Sequence, residues 1–164
     1  TGPGMILLVR RLSELLRQGR SYEEICLTMA ACRQHTRLLF LLGSLDNLVK
    51  NGRCSKVAGL TAQVLNIRVI GRASDRGELQ LLRKCRGESR AYETLRQEME
   101  ELRYCGGRVV ISHCQQLSGA EAVRSLILSR YPHARVDILP TGGLCSYYAQ
   151  QGGILVGFET LPDD

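Results

Sequence analysis

The amino-acid sequence predicts an α/β fold in which helices are layered on a mixed β-sheet. From residue 106 onward, predicted strands alternate with predicted helices, which is the order found when helices cover parallel strands. Two earlier strands flank the polar turn Asp75-Arg76-Gly77, which predicts an antiparallel hairpin. A sheet that contains both arrangements is mixed.

The first fifty residues predict a helical hairpin followed by a buried strand. Apolar residues recur with helical spacing up to Gly19, which ends the first helix. Ser21 and Glu24 form a capping box that begins a second helix, and this helix extends to about Arg33. Residues 37–42 are almost all apolar and predict a strand buried on both faces.

The remaining elements follow from the same patterns of spacing. Further strands are expected at residues 68–73, 79–84, 109–111, 136–139 and 154–158. Further helices are expected at residues 44–51, 55–65, 88–102 and 118–130, with a short helix before the last strand. A second capping box, formed by Ser118 and Glu121, predicts where the helix that ends near Arg130 begins.

The composition is that of one globular domain with a surplus of basic residues. The 164 residues include 22 Lys and Arg against 16 Asp and Glu, and the net charge of +6 favours anionic partners. The basic residues are dispersed, Trp is absent and aromatic residues make up only 5% of the chain, so the sequence predicts no nucleic-acid binding. No apolar run approaches the roughly 18 residues of a membrane span, and we recognise no signal peptide.

The seven cysteines and three histidines form no metal or catalytic motif. The cysteines are widely spaced without a C-x-x-C pair, and they predict reduced thiols in a cytoplasmic protein. His113 and Cys114 follow an apolar strand, but neighbouring strand residues point to opposite faces, so they cannot form a simple nucleophile–base pair. No glycine-rich nucleotide motif is present. We therefore expect no metal, no cofactor and no catalytic residue.

Two glycine-flanked segments instead predict a site for an acidic group. Arg53 lies in a tight turn between Asn51-Gly52 and Ser55, where its guanidinium could donate a forked pair of hydrogen bonds to a carboxylate. Residues 141–159 hold two glycine pairs around a short polar segment, in which Ser146 and Tyr148 place hydroxyls close to a predicted helix start. Each segment taken alone could equally be an ordinary surface turn.

A basic stretch, Arg83-Lys84-Cys85-Arg86, precedes the long helix expected at residues 88–102. The stretch is either a solvated strand end or a docking patch for an acidic partner.

Four stretches of the chain, in order, resemble sequence pieces of the DegV family. Residues 45–55 are similar to L-x-x-L-x-x-x-G-R-[IL]-S, and residues 65–70 to L-x-I-K-P-I, with Val69 in the place of the usual proline. Residues 77–86 are similar to D-G-x-(n)-K-x-R, and residues 142–158 to the C-terminal signature of one subgroup. The resemblance covers nearly all of this chain but only the later part of a family member.

The resemblance implies a non-enzymatic carrier that binds a long-chain fatty acid and presents it to a partner fatty acid kinase. The residues expected to hold the carboxylate are Arg53, Ser55, Ser146 and Tyr148. Those expected to meet the kinase are Lys84 and Arg86. Tyr148 stands near the position where many members carry a histidine, and a phenol can donate a hydrogen bond but is not cationic near neutral pH.

The resemblance also implies that the acid lies between two domains. Residues 1–50 would link to a missing N-terminal domain, and residues 51–164 would form the C-terminal α/β domain. A half-cleft would expose apolar wall, which dimerisation of the chain could cover, so we expect the chain alone to bind fatty acid weakly or not at all. The alternative is an α/β small-molecule enzyme or regulator that binds a phosphorylated metabolite at the same glycine-flanked site.

Overall fold

The computed structural model describes residues 2–54, 66–74 and 76–161. The helices in this part of the chain are α1 (Pro3–Arg17), α2 (Tyr22–Gln34), α3 (Asp46–Lys50), α4 (Glu88–Glu101), α5 (Leu117–Arg130) and α6 (Gly143–Ala149). The strands are β1 (Thr36–Leu42), β2 (Ile67–Ala73), β3 (Leu79–Arg86), β4 (Arg108–His113), β5 (Arg135–Pro140) and β6 (Ile154–Glu159). The helix expected at residues 55–65 lies outside the described residues.

The described strands form one mixed sheet in the order β3-β2-β1-β6-β4-β5. β4 and β5 run parallel, and every other neighbouring pair is antiparallel. The predicted mixed α/β fold is therefore confirmed. β1 lies between β2 and β6, so residues on both sides of position 50 belong to the same sheet. The expected division of the chain at residue 50 stays a prediction.

One face of the sheet packs against α4 and α5. Leu39 and Leu41 of β1 point to this face and are buried in one core with Leu95 and Met99 of α4 and Ile127 of α5. These residues recur every second position in the strand and every third or fourth in the helices, which is what each structure requires of a buried face.

The opposite face is covered in part by α1, which contacts β1, β4 and β6. Gly157 of β6 allows the close approach, because a Cβ at that position would lie 2.6 Å from the backbone nitrogen of Gly4. Farther along α1, Arg108 of β4 donates a 2.7 Å hydrogen bond to the carboxylate of Glu14. The helix is thereby held at both ends.

The capping box predicted at the start of α2 is confirmed. The Ser21 hydroxyl accepts from the backbone nitrogen of Glu24 at 3.2 Å, and the Glu24 carboxylate accepts from the backbone nitrogen of Ser21 at 2.9 Å. α2 buries no residue fully, so local capping rather than core packing defines where it begins.

The second predicted capping box, of Ser118 and Glu121, is wrong. α5 begins at Leu117, and its N-cap residue Gln116 makes no side-chain cap. The backbone nitrogen of Gln116 instead donates to Nδ1 of His113 at 3.1 Å. His113, at the end of β4, therefore accepts the hydrogen bond at the start of α5. Ser118 lies inside the helix and cannot be its N-cap. None of the helices in the described part of the chain has the length and hydrophobicity needed to cross a bilayer.

We expect Glu14→Gln to flatten the acid side of the stability profile. The hydrogen bond from Arg108 holds the pKa of Glu14 below its ordinary value of 4.5. The carboxylate therefore stabilises the fold above that pH, and the contribution is lost as the pH falls through the lowered folded-state pKa. The two side chains are 27% and 29% exposed, so the contribution is on the order of 1 kcal/mol.

The measurement is the free energy of unfolding in urea from about pH 6 down to about pH 3. Val123→Ala is the control, because it creates a cavity in the core without changing an ionisable group. Equal pH slopes for Glu14→Gln and the unmodified protein would contradict the assignment.

Candidate functional site

An apolar groove runs along the sheet face that α4 and α5 leave uncovered. Its floor is formed by alternate residues of β1, which are Leu38, Phe40 and Leu42, together with Leu155 of β6. α3 and α6 line one end and one side, and the cavity has a volume of about 320 Å³. We call this cavity the β1 groove.

Two hydrogen-bonding side chains, Arg53 and Tyr148, line the β1 groove. Arg53 is exposed and follows α3, where its backbone nitrogen donates to the carbonyl of Leu48 at 2.8 Å. Gly52 has a φ of 63°, the left-handed conformation that this tight turn needs and glycine supplies without strain. Tyr148 is half-buried in α6. The structure thus brings together two residues that are 95 positions apart and that the sequence analysis selected separately.

Hydrogen bonds link α3 and the residues that flank it to α6 and Gln150. The Asn47 side-chain amide donates to the carbonyl of Tyr147 at 2.7 Å, and the Asn51 side-chain amide donates to the Tyr147 hydroxyl at 2.9 Å. At the far end of α6, the Gln150 amide donates to the Ser44 hydroxyl at 3.1 Å. We call this set the α3–α6 contact. No sequence pattern predicts this contact, because residues about 100 positions apart leave no local pattern.

Ser146 lies on α6 but is not among the groove-lining residues that the structure describes. Its hydroxyl is 2.6 Å from that of Thr141 and 3.2 Å from the Thr141 carbonyl, so it closes the turn that leads into α6. Ser55, the other serine expected at the site, lies outside the described residues. Ligand-binding roles for both serines stay predictions.

Lys84 and Arg86 are exposed on β3 and lie on the same sheet face as the β1 groove. Lys84 pairs with Val69 of β2, and Val69 packs in one cluster with Phe40 and Leu42. Directly opposed residues of an antiparallel pair share a face. The face is set by a register shift at Ile70/Gly71, which reverses the alternation between the first and second halves of β3.

His113 and Cys114 are engaged in contacts that stabilise the fold. His113 accepts from the start of α5 through Nδ1, and the backbone of Cys114 exchanges hydrogen bonds with Gly152 and Gly153 at 2.9 Å each. All seven cysteines are free. Burial raises the pKa of the Cys54 thiol, as expected for a cysteine that packs as an apolar residue. Within the described residues, no group of three His, Cys, Asp or Glu side chains could hold a metal ion.

Comparison with known proteins identifies the family of the chain. The sequence-family model of the DegV family, a family of uncharacterised proteins, matches residues 1–160. The chain belongs to the DegV family. A DegV domain-containing protein of Streptococcus pyogenes serotype M1 is 45% identical over 158 residues, which are 96% of this chain and 56% of that protein. This DegV chain therefore spans about half the length of the curated relatives it matches.

Solved structures of DegV proteins share the fold. A DegV family protein from Eubacterium eligens, loaded with heptadecanoic acid, has a TM-score of 0.94 and 39% identity over 98% of this chain and 58% of its own. The Fatty Acid Kinase (Fak) B3 protein of Streptococcus pneumoniae, loaded with linoleic acid, has a TM-score of 0.92 and 42% identity over 97% of this chain and 57% of its own. The family assignment made from the sequence is confirmed.

We expect Asn47→Ala to loosen α6. The change removes the 2.7 Å hydrogen bond to the carbonyl of Tyr147, and one such bond contributes about 1 kcal/mol. Amide hydrogen exchange of Ser146 and Gln150 should therefore quicken by about fivefold. Gln151→Ala, an exposed change that follows α6, is the control. Unchanged exchange at both amides in the Asn47 variant would show that the α3–α6 contact does not hold the helix.

Proposed function

We propose that this chain forms one wall of a fatty acid site in a longer DegV protein, which carries the acid without transforming it. The observation that supports the proposal is the lining of the β1 groove. Arg53 and Tyr148 stand beside a cavity whose other side chains are almost all apolar. The two similar structures from E. eligens and S. pneumoniae each hold a long-chain acid.

The tail of the ligand would be bound by apolar burial, and its carboxylate by hydrogen bonds. Burial of the acyl chain on the apolar floor contributes about 0.8 kcal/mol per methylene, so the tail supplies most of the affinity. The Arg53 guanidinium can donate two parallel hydrogen bonds to the carboxylate, and Tyr148 adds a neutral hydroxyl donor. The head group therefore fixes the direction in which the acid lies. Ser55 and Ser146 are further candidates for contacts with the head group.

We further propose a fatty acid kinase as the partner. The similar S. pneumoniae structure is that of the Fatty Acid Kinase (Fak) B3 protein. Lys84 and Arg86 are exposed on the groove face of β3, a strand at the edge of the sheet. Two cations at this position would attract an acidic partner surface and orient it towards the end of the groove that holds Arg53.

The part of the relatives that this chain does not match would supply the second wall of the cleft. The chain alone would then bind acid weakly, and a second copy could cover the groove in its place. We also propose a cytoplasmic location, because all seven cysteines are free.

The proposed function predicts that the full-length protein retains a long-chain fatty acid and that Arg53→Ala loses it. A charge-assisted hydrogen bond contributes about 1.5–3 kcal/mol, so the variant should bind hexadecanoic acid about ten- to a hundredfold more weakly. Hexadecanol has the same tail without the carboxylate, and its affinity should not change.

The measurements are mass spectrometry of the extracted ligand and titration calorimetry. Lys50→Ala removes a neighbouring exposed cation from α3 and is the matched control. A phosphorylated metabolite in the extract, instead of a fatty acid, would support the small-molecule alternative and contradict the carrier.

The double variant Lys84→Glu/Arg86→Glu should slow acyl-phosphate formation by the partner kinase by at least about tenfold, because repulsion replaces attraction at the docking surface. Affinity for the acid itself should stay the same. Arg90→Glu/Arg135→Glu reverses two exposed charges on α4 and β5 and controls for net charge, because it changes the charge by the same four units. Normal phosphorylation by the double variant would place the docking surface elsewhere.

A further inference from the structure

We propose that Phe40 sets the length of acyl chain that the β1 groove accepts, and that Gly71 makes this possible by letting the Phe40 ring lie down on the sheet. The inference rests on the proposed function, because it concerns the tail of the same ligand. It assigns a selectivity role to a glycine that is not itself among the described groove-lining residues.

The Phe40 ring lies over the backbone of Gly71. The two residues are directly opposed in the β1–β2 pair. A Cβ at Gly71 would be 2.6 Å from Cε2 of Phe40 and closer still to Cζ, so the ring occupies the space that a side chain at position 71 would need. Phe40 is only 2% exposed although it forms part of the groove floor. An aromatic ring laid over a strand glycine is a known way of covering exposed backbone.

Phe40 stands midway along the path of the ligand. Leu42 precedes α3 and the Arg53 turn, whereas Leu38 lies near Gly77 of the β2–β3 hairpin, at the other end of the groove. The five residues from Leu38 to Leu42, four steps along the strand, span about 13 Å. An acid whose carboxylate is held at Arg53 must therefore cross the Phe40 ring before its tail reaches Leu38.

The tilt of the ring then decides how much of the tail is bound. A ring that lies on Gly71 leaves the passage from Leu42 to Leu38 open. A methyl group at position 71 would lift the ring into that passage and exclude the carbons beyond it. Each methylene that is buried tightens binding by about fourfold. Each carbon that cannot pass the ring should therefore weaken binding by about fourfold.

The test is a chain-length series of saturated acids, from octanoic to octadecanoic, titrated into the full-length protein and its Gly71→Ala variant. We expect affinity in the unmodified protein to rise by about fourfold per methylene until the groove is filled. In Gly71→Ala the rise should stop at a shorter acid. Octanoic acid should bind both proteins equally, and octadecanoic acid should bind the variant at least about tenfold more weakly.

Two further variants distinguish the effect of the Phe40 ring from the effect of straining the strand. A methyl group at Gly71 would also lie 2.5 Å from the carbonyl oxygen of Gln80, which lowers stability whatever residue stands at position 40. Phe40→Leu combined with Gly71→Ala keeps that clash but removes the ring, so the rise with chain length should return. Ile70→Val alters the neighbouring buried residue on the opposite face and should lower stability without changing the profile.

If Gly71→Ala does not fold, Phe40→Trp alone tests the inference. The larger indole should enter the passage that the phenyl ring leaves open, so the affinity for octadecanoic acid should fall relative to that for octanoic acid. Parallel chain-length profiles in all folded variants would overturn the role of Phe40 while leaving the proposed function intact. Failure of the unmodified protein to bind any acid would overturn the proposed function, and this inference with it.

Discussion

Both faces of the central strand β1 are apolar, one packing in the core and the other lining the β1 groove. The rest of the structure depends on which residues lie on each face. Leu39 and Leu41 enter the core beneath α4 and α5, while the alternate residues form the floor of the β1 groove. A slip of one residue in the pairing of β1 would exchange the two sets. Because the α4–α5 core is fully buried, it fixes this register strongly. The groove therefore receives its apolar floor as a consequence of how the core packs.

A second constraint is the register shift at Ile70/Gly71, which determines whether Lys84 and Arg86 lie on the groove face of the sheet. Without the shift, strict alternation along β3 would place Lys84 and Arg86 on the face opposite Leu79 and Leu81. With it, both cations share the face of the β1 groove. Bulges commonly redirect side chains next to functional sites. Here one irregularity lies beside the glycine on which the Phe40 ring rests, and it also places Lys84 and Arg86 on the groove side of the sheet.

Local patterns predicted well, and long-range contacts left no sequence signal. The capping box of α2 and the amphipathic face of α4 depend on residues within one or two turns, so spacing alone identifies them. The Ser118 pattern failed because α5 begins at Leu117, so the serine lies inside the helix and cannot be its N-cap. The α3–α6 contact and the register shift of β3 arise only when the sheet assembles. Arg53 and Tyr148, which the sequence proposed as ligand-binding residues, line the same groove, but no sequence pattern predicts the hydrogen bonds that link α3 to α6.

The exposure of the groove explains why half of a cleft is expected to be a poor binder. Leu144 lines the groove and is nevertheless 69% exposed. The free energy of burying an acyl chain comes from removing water from all sides of each methylene. A groove open along one side leaves part of the tail hydrated, and the hydrogen bonds at the head group cannot compensate, because water competes for them. Under the proposed function, tight binding of an acid would require a second apolar wall over α6. The relatives extend well beyond the part that this chain matches, so their remaining residues have the length to provide that wall.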